Sequence, residues 1–354
     1  MSSQGTAIPD IVDILTDINA PAPKPATPTE HPADPTPSWS LKLVNGTVVV
    51  IPFLGLVAAA ILLWGVAFDW IHLALFVGMY LLTGLGITVG FHRLFTHRSF
   101  KTYKVVSATL AILGSMAFEG PLLRWVATHR RHHQVSDKHG DPHSPHTHGD
   151  GLWPSIKGAF HSHMGWLFDH EVFTADTLGK STDAKDPWKY VKDLYNDPVS
   201  RVVSKTFLLW AMLGLAIPAL IGGLATMSWM GALLGFIWGG LVRVFFVHHV
   251  TWSINSVCHL WGSRPFRSHD ESRNNPLFGV IGFGEGWHNN HHAFPASARH
   301  GLRWWEFDAS YLIIRVMRAL RLVYDIKVPS AERIAAQRAD ARPTATQPPS
   351  HPNA

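Results

Sequence analysis

Residues 70–97 read WIHLALFVGMYLLTGLGITVGFHRLFTH, an apolar run that ends in two histidines. A helix needs about 20 apolar residues to cross a bilayer, and the part from Trp70 to Gly90 is long enough. It predicts a transmembrane helix with His92 and His97 just beyond its end. Two more histidine clusters also follow apolar stretches, and they read HRRHH at 129–133 and HNNHH at 288–292.

Three other stretches are long and apolar enough to cross a membrane, and they cover residues 44–67, 206–225 and 227–247. Together with 70–90 they form two tight hairpins. The polar parts of the chain are residues 91–200, between the hairpins, and 248–328. The sequence therefore predicts an all-α integral membrane protein, with four transmembrane helices in two hairpins and a helical cap that carries a histidine-rich two-metal site.

The remaining segments are predicted from their composition. Residues 1–43 and 329–354 are expected to be disordered tails, because their proline-rich or polar composition cannot bury enough apolar surface to offset chain entropy. Residues 105–118 are apolar but too short to cross easily, so an in-plane or buried helix is predicted there.

Charge and composition limit both the orientation and the class of protein. The chain is 47% hydrophobic and 16% charged, and its lone Cys258 excludes a disulfide framework or a thiolate cluster. The formal charge of +5 is not arranged as a stripe for nucleic acid, so no nucleic-acid partner is expected. Neither hairpin turn contains Lys or Arg, which places both termini and all three histidine clusters in the cytoplasm. We expect a multi-pass protein of a bacterial cell membrane.

Ionisable side chains inside the spans would point to transport, since each costs about 2.5–3.5 kcal/mol at a span centre. The span centres are expected to be free of them, which leaves a membrane metal transporter as a remote alternative. His72 and the pair His248–His249 fall near span ends and are predicted to be interfacial or capping residues rather than ligands.

The three histidine clusters predict a metal centre, because neutral imidazole is the commonest metal ligand. Residues five apart, such as His92 and His97, are offset on a regular helix but converge where the helix end unwinds. In the other two clusters, positions i, i+3 and i+4 share one helical face, so one cluster can serve two metals. Eight imidazoles are too many for one ion, which indicates a dinuclear site. Several further histidines are expected to be solvated: His139, His146, His148, His161, His170 and His300.

Taken together, the motifs resemble those of the membrane fatty-acyl desaturases, specifically the Δ9 acyl-CoA (stearoyl-CoA desaturase-like) group. The resemblance covers about residues 45–310. Its motifs are HRLFTHR, HRRHH and HNNHH, with DPH at 141–143, NSVCHLWG at 255–262, RPF at 264–266 and GEGWH at 284–288.

This resemblance implies two iron ions, with the di-iron centre itself as the catalytic group and no separate acid or base residue. Asn255 matches the residue that holds a metal-bound water. Ligating imidazoles need acceptors on their other ring nitrogen, and four acidic residues lie near enough in sequence: Asp137, Asp141, Asp270 and Glu285. The nine histidines that the resemblance implies as ligands are His92, His97, His129, His132, His133, His259, His288, His291 and His292.

The activity implied is O2-dependent insertion of a cis double bond, at the Δ9 position, into a long-chain saturated acyl thioester such as acyl-CoA. A separate ferredoxin or cytochrome b5-like protein, with its reductase, would supply electrons. Trp125 and Thr251 match residues that line the bend of the acyl tunnel, and Glu119 stands where animal members have glutamine. A fatty-acyl or alkane hydroxylase with the same kind of centre is the alternative.

The end of the substrate that carries the head group is less well specified. Animal members have an Arg-Asp pair before the second histidine cluster and an Arg-Lys pair after a His-x-Gly-Trp motif, and both contact coenzyme A. This chain has Ala127-Thr128 and His170-Glu171 at those places. Because coenzyme A phosphates need Arg or Lys donors, acyl-CoA, a carrier-protein thioester and a lipid ester all remain open as substrates.

Overall fold

A computed structural model describes residues 39–65, 70–169 and 187–340. In this part of the chain, four helices are long and apolar enough to cross a membrane. The first is α1 (Trp39–Gly65). The second is α2 (Trp70–Leu85), which continues as a π-helical stretch, Gly86–Thr96. The third and fourth are α9 (Phe207–Thr226) and the continuous run of α10 (Trp229–Gly235), a π-helical stretch (Phe236–Val242) and α11 (Arg243–Leu260).

Shorter elements form the cap. The helices before α9 are α3 (Lys104–Ser115), α4 (Leu122–Val135), α5 (Leu152–Phe160), α6 (Trp166–Asp169), α7 (Lys192–Tyr195) and α8 (Pro198–Lys205). Those after α11 are α12 (Pro276–Ile281), α13 (His288–Ala293), α14 (Ala309–Ala319) and α15 (Ala331–Gln337). Two short strands, β1 (Lys101–Thr102) and β2 (Val323–Tyr324), pair antiparallel and tie the C-terminal segment to the chain just after His97. A π-helical turn, His161–Gly165, and a 3-10 turn, Pro187–Tyr190, complete the described elements.

The second and fourth membrane helices are longer than predicted. The expected ends at residues 90 and 247 mark where the apolar run stops, but the helices continue to Thr96 and Leu260. A helix does not have to end at the membrane surface, because its backbone hydrogen bonds continue wherever neighbouring elements pack against it. His92 and His259 therefore lie on the same helices that cross the membrane.

The ends of the chain also differ from the prediction. Helix α1 begins at Trp39 rather than at residue 44, and α15 lies inside the C-terminal segment that was expected to be disordered. Helix α15 is held by the loop before the third histidine cluster, since Gln337 Nε2 donates to the carbonyl of Arg267. The predictions for residues 1–38 and 341–354 lie outside the described residues.

The short apolar helix predicted at 105–118 is α3, and it packs on the π-helical stretch that carries His92. Gly86 and Gly114 make this approach possible, because a Cβ at Gly86 would lie only 2.2 Å from the backbone nitrogen of Gly114. Phe91 and Leu122 are buried in the core that forms between this stretch, α3 and α4. The close contact holds the first two histidine clusters at one end of the bundle.

The predicted span centres contain no ionisable side chain, but Arg243 lies near the predicted end of the fourth span. It is fully buried and donates to the carbonyls of Gly239, Met116 and Gly214. Backbone carbonyls satisfy this guanidinium, so it ties α11 to α9 and to the end of α3 and does not line either described cavity.

Of the histidines at the span ends, His72 and His248 are buried, while His249 is partly exposed. His72 contacts the carbonyl of Gly231 at 3.1 Å, and His248 contacts those of Ala117 and Phe118 at 3.0 and 3.1 Å. His249 Nδ1 lies 3.0 Å from His163 Nε2. Among the described residues these rings belong to none of the groups that can hold a metal.

Candidate metal centre

A π-helix brings the first histidine pair together. In the stretch Gly86–Thr96 the backbone bonds span five residues, and the N–H of His97 donates to the carbonyl of His92 at 3.1 Å. Residues five apart therefore share a face, and the Nε2 atoms of His92 and His97 lie 3.1 Å apart. The predicted convergence occurs, but by widening of the helix rather than by unwinding. Such π-helical segments are rare and frequent at functional sites.

The other two histidine clusters lie on α4 and α13, and each divides between two groups of converging imidazoles. His129 and His133 of α4 face one group, while His132 faces the other; likewise His291 separates from His288 and His292. We call the groups the five-histidine cluster and the four-histidine cluster. The five-histidine cluster is His92, His97, His129, His133 and His291. The four-histidine cluster is His132, His259, His288 and His292.

The geometry of both groups suits a metal ion. Nitrogen ligands about 2.0–2.1 Å from one ion at right angles are roughly 3 Å apart. Nε2 of His291 lies 3.1 Å from that of His92 and 2.9 Å from that of His133, and His259 and His288 are 3.1 Å apart in the same way. Nε2 of His132 and of His292 is buried with no hydrogen-bond partner among the described residues. Buried polar atoms of this kind call for an explanation, and a bound ion supplies one.

Three aspartates support the four-histidine cluster from behind. Nδ1 of His259 donates to Asp137 at 2.8 Å, that of His132 to Asp141 at 3.0 Å, and that of His292 to Asp270 at 2.5 Å. Each donation fixes the tautomer with the Nε2 lone pair turned towards the cluster, as a metal ligand requires. Burial raises the pKa of these carboxyls, but the partner histidines outweigh it and hold the pKa of all three below the ordinary value.

A single carboxylate, Glu285, supports the five-histidine cluster. Its Oε2 lies 2.6 Å from Nδ1 of His92, and its Oε1 accepts from the guanidinium of Arg93. Arg93 also donates to Asp308 at 3.1 Å and is itself fully buried. Although burial opposes ionisation, the charges of Arg93 and His92 hold the pKa of Glu285 well below its usual range. Each of the four acidic residues considered from the sequence therefore contacts Nδ1 of one of four cluster histidines.

Burial keeps the remaining rings neutral. It is the largest cause, followed by neighbouring imidazoles, and it lowers the pKa of His129, His133, His288 and His291 well below that of free histidine. Neutral imidazole is the form that binds metals. These four rings are thus neutral nitrogen donors near neutral pH. His132 differs, because burial lowers its pKa but the charge of Asp141 and its hydrogen bond raise it above the ordinary value.

Two cavities meet beside the clusters. The first holds about 580 Å³ of empty space between α2, α11 and the clusters, and the second about 560 Å³ between α4, α6 and α11. They share Trp125, His129, Thr251 and Asn255, so they adjoin where the bend of the acyl tunnel is expected; we call the two cavities together the channel. His92 and His288 also line the first cavity, which brings both clusters to its wall.

The three residues predicted to line the substrate come together at the bend. Trp125 Nε1 donates to Glu119 at 3.0 Å, and the Thr251 hydroxyl donates to the other carboxylate oxygen at 2.7 Å. Burial raises the pKa of Glu119 to about 7, and these two donors only partly oppose the shift. Asn255 lies one helical turn from His259 on α11 and lines both cavities.

The positions aligned with coenzyme A contacts carry no cation here. Ala127 is buried, and Thr128 lines the second cavity. His170 and Glu171 lie outside the described residues.

His300 was expected to be solvated and is not. Its side chain is 1% exposed, its ring centroid lies 4.4 Å from that of His291, and its Nδ1 lies 3.5 Å from Glu285. His143 similarly lies buried against His132 and Asp141. Arg93 and His300 were not predicted to belong to the site, because nothing in the sequence spacing links residue 300 to residues 92 and 285.

Comparison with known proteins agrees with this arrangement. Residues 68–325 match the model of the fatty acid desaturase family. A hex-5-enoyl-[acyl-carrier protein] acetylenase from Moorena producens (strain JHB) is 42% identical over 291 residues, covering 82% of this chain and 87% of that protein.

Two desaturases named for the Δ9 position are also similar. Delta-9 acyl-lipid desaturase 1 of Arabidopsis thaliana is 40% identical over 266 residues, 74% of this chain and 77% of that protein. The sn-1 stearoyl-lipid 9-desaturase of Anabaena variabilis is 38% identical over 263 residues, 74% of this chain and 86% of that protein.

Proposed function

Because this chain belongs to the fatty acid desaturase family, we propose that it inserts a cis double bond at the Δ9 position of a saturated long-chain acyl group, using O2 and two iron ions. The observation that carries the proposal is the channel whose wall is formed by both histidine clusters. The nine histidines of the clusters would hold the ions, and Asn255 would hold a water between the ions and the channel.

The ions would supply an oxidation that acid and base side chains cannot perform on an unactivated C–H bond. The protein's contribution is to position the chain. Apolar residues such as Ile87, Val247 and Ile254 line the first cavity, so they would exclude water and hold an acyl tail beside the clusters. Where one C–C bond lies relative to the imidazoles then sets the position of the double bond.

The bend would define that register. Glu119 joins Trp125 of α4 to Thr251 of α11 through two hydrogen bonds, so it fixes the distance between the two helices where the cavities meet. An acyl chain that follows both cavities must turn at this point. The channel therefore favours chains that kink beside His129 rather than straight ones.

We propose the orientation from the charge distribution and the electron source from the family resemblance. We place both clusters on the cytoplasmic side of a bacterial cell membrane, because Lys and Arg are absent from the hairpin turns. A separate ferredoxin or cytochrome b5-like protein, with its reductase, would deliver electrons there.

The carrier of the acyl group is the open part of the substrate. A saturated acyl thioester is our first proposal, with acyl-CoA as its simplest form. The absence of a cation at Ala127 and Thr128 favours carriers without coenzyme A phosphates at that site. The carrier-protein and lipid names of the similar proteins concern those proteins, and they define which carriers to test here.

The test is the fatty-acid profile of cells that express the chain with iron and a competent donor, compared with a His129→Ala variant. We expect a monounsaturated product with its double bond at Δ9, and none from the variant. Oxygenated products would instead support the hydroxylase alternative, and an unchanged profile would overturn the proposal. Supplying purified protein with acyl-CoA, acyl-carrier protein or a lipid ester, each with the same acyl chain, would identify the carrier.

A further inference from the structure

We propose that His300 is a positioning residue of the five-histidine cluster, which holds Glu285 against His92 so that His92 keeps its ligand orientation. The inference rests on the proposed function, because it assumes that the clusters hold iron. His300 is not among the nine histidines that the family resemblance implies. Its side chain is buried, and neither ring nitrogen makes a hydrogen bond within the usual distance and angle limits in the described part of the chain.

The backbone of His300 is fixed from two sides. Its N–H donates to Asp308 at 2.7 Å, and its carbonyl accepts from Asn290 at 2.8 Å. Asp308 also accepts from Arg93, and Asn290 is the neighbour of His291 in α13. The ring is therefore brought to Glu285 by the same network that anchors Arg93 and the third histidine cluster.

Glu285 differs from the other three carboxylates in what supports it. Backbone N–H groups donate to each aspartate: that of Glu271 to Asp137, that of His143 to Asp141, and that of Ser272 to Asp270. No backbone donor reaches Glu285 among the described residues. Side chains take this role instead, with Arg93 on Oε1, and His92 and His300 on the side of Oε2.

A third metal ion between His92, Glu285 and His300 is the competing interpretation, since one donor atom of each lies within 4.8 Å of the others. Charge argues against it. The guanidinium of Arg93 already contacts the same carboxylate, and a cation on Glu285 would lie beside it in a buried site, where like charges repel strongly. An N–H donor from His300 needs no such compensation. A small closure of the 3.5 Å separation would complete the hydrogen bond.

Iron release from the purified holoprotein tests the proposal. His300→Phe keeps a ring but removes the N–H, and His300→Gln has no donor at the place of Nδ1. His300→Asn keeps a donor there, because Asn Nδ2 lies as many bonds from Cβ as His Nδ1, the atom that faces Glu285. In excess chelator, we expect one of the two irons to leave about tenfold faster in the Phe and Gln variants, the lower end of the effect of losing such a partner. The second iron should keep the wild-type rate. The Asn variant should remain close to wild type, and so should His148→Phe, which alters an exposed histidine.

The outcomes separate this proposal from the proposed function. Wild-type release of both irons from His300→Phe and His300→Gln would overturn it, as would equally fast loss in the Asn, Phe and Gln variants, which would indicate packing. A third equivalent of metal in the wild type that disappears in His300→Phe would establish the competing interpretation. If the wild type desaturates but His300 has no effect, only this inference fails; a wild type that binds no iron removes the proposed function as well.

In a Glu285→Gln background, His300→Phe should add little, because the two residues would act through one contact. Independent, additive effects on iron release would contradict the proposed route. The double variant also provides a check on folding. If its metal-free thermal midpoint is lower than that of Glu285→Gln alone, His300→Phe itself lowers stability, and faster iron loss then cannot be assigned to the lost contact with Glu285.

Discussion

The two histidine clusters differ in their charge and in their exposure. The four-histidine cluster is fully buried and has three aspartates behind its rings, whereas three members of the five-histidine cluster are partly exposed. The five-histidine cluster has only Glu285, whose charge is already matched by Arg93. Neutral imidazoles alone leave a divalent ion's charge uncompensated, so the two sites present different fields to their metals.

Between the two clusters, a larger number of imidazoles goes with less negative charge behind them. One cluster has more imidazoles and little negative charge, and the other has fewer imidazoles and much more. Carboxylates behind imidazoles raise the basicity of the ligand, so the four-histidine site should favour the more oxidised ion. The five-histidine site should exchange its ion more readily.

Removal of one ligand from each cluster should have the largest effect. His97→Ala and His259→Ala should each abolish desaturation and lower iron from about two to about one per chain, because each affects one site. Iron per chain and product yield from the same preparation provide the measurement. Loss of both irons from either variant would show that the clusters do not bind independently, while His148→Ala should change neither quantity.

Neutralising the supporting carboxylates should have the next largest effect. Asp270→Asn and Glu285→Gln should each weaken iron binding about 10–100-fold. Glu285→Gln should also lower the stability of the metal-free protein, by up to about 3–5 kcal/mol, because it removes one of the two carboxylates of buried Arg93. Metal-free thermal unfolding in detergent checks this, and equal midpoints for the two variants would contradict the role given to Arg93.

The rate of iron loss should then distinguish the clusters in the wild type. Chelator access should govern that rate, and His97, His129 and His133 are partly exposed while the other cluster is buried. We expect two phases separated by about tenfold, with the faster phase missing in His97→Ala. The time course of chelator absorbance measures it. If His259→Ala removed the faster phase instead, the prediction that the more exposed cluster loses its ion faster would be wrong.

Several of these features could be predicted from the sequence for a physical reason. Four long apolar runs predict four membrane helices, because few environments other than a bilayer favour so many consecutive apolar residues. The i, i+3, i+4 spacing at His129, His132 and His133 predicted that one cluster serves two metals, and α4 places His132 in one group of imidazoles and His129 and His133 in the other. The family resemblance placed His259, which spacing alone would not have selected.

Other features depend on contacts between residues far apart in the chain. The π-helix at Gly86–Thr96 packs closely against α3 through Gly86 and Gly114, and no local sequence pattern predicts this contact. His300 meets Glu285 because Asp308 and Asn290 hold its backbone. Arg243 is acceptable in a span because three carbonyls from different helices point at it. In each case the role of the residue depends on contacts with parts of the chain that are distant in sequence.

The smallest expected effect concerns Glu119, which lies at the channel bend rather than at either cluster. Burial raises its pKa from 4.5 to about 7, so the folded protein favours the neutral acid. Its contribution to stability is fully present below about pH 4.5 and is lost as pH rises through about 7. From the shift, this amounts to roughly 3 kcal/mol. Glu119→Gln should remove that part of the pH dependence and leave iron per chain unchanged.

Thermal midpoints of both proteins in detergent between pH 5 and 8 measure the difference. The Gln amide can accept from Trp125 and donate to the Thr251 hydroxyl oxygen, much as the neutral acid can, so both contacts can be kept. The two midpoints should therefore be similar at pH 5, and the variant should have the higher midpoint at pH 8, where wild-type Glu119 is ionised. Parallel curves at all pH values would show that Glu119 stays in one protonation state. An altered iron content would show that Glu119 at the bend affects iron binding. The difference between the two clusters would then depend on the channel as well as on their own carboxylates.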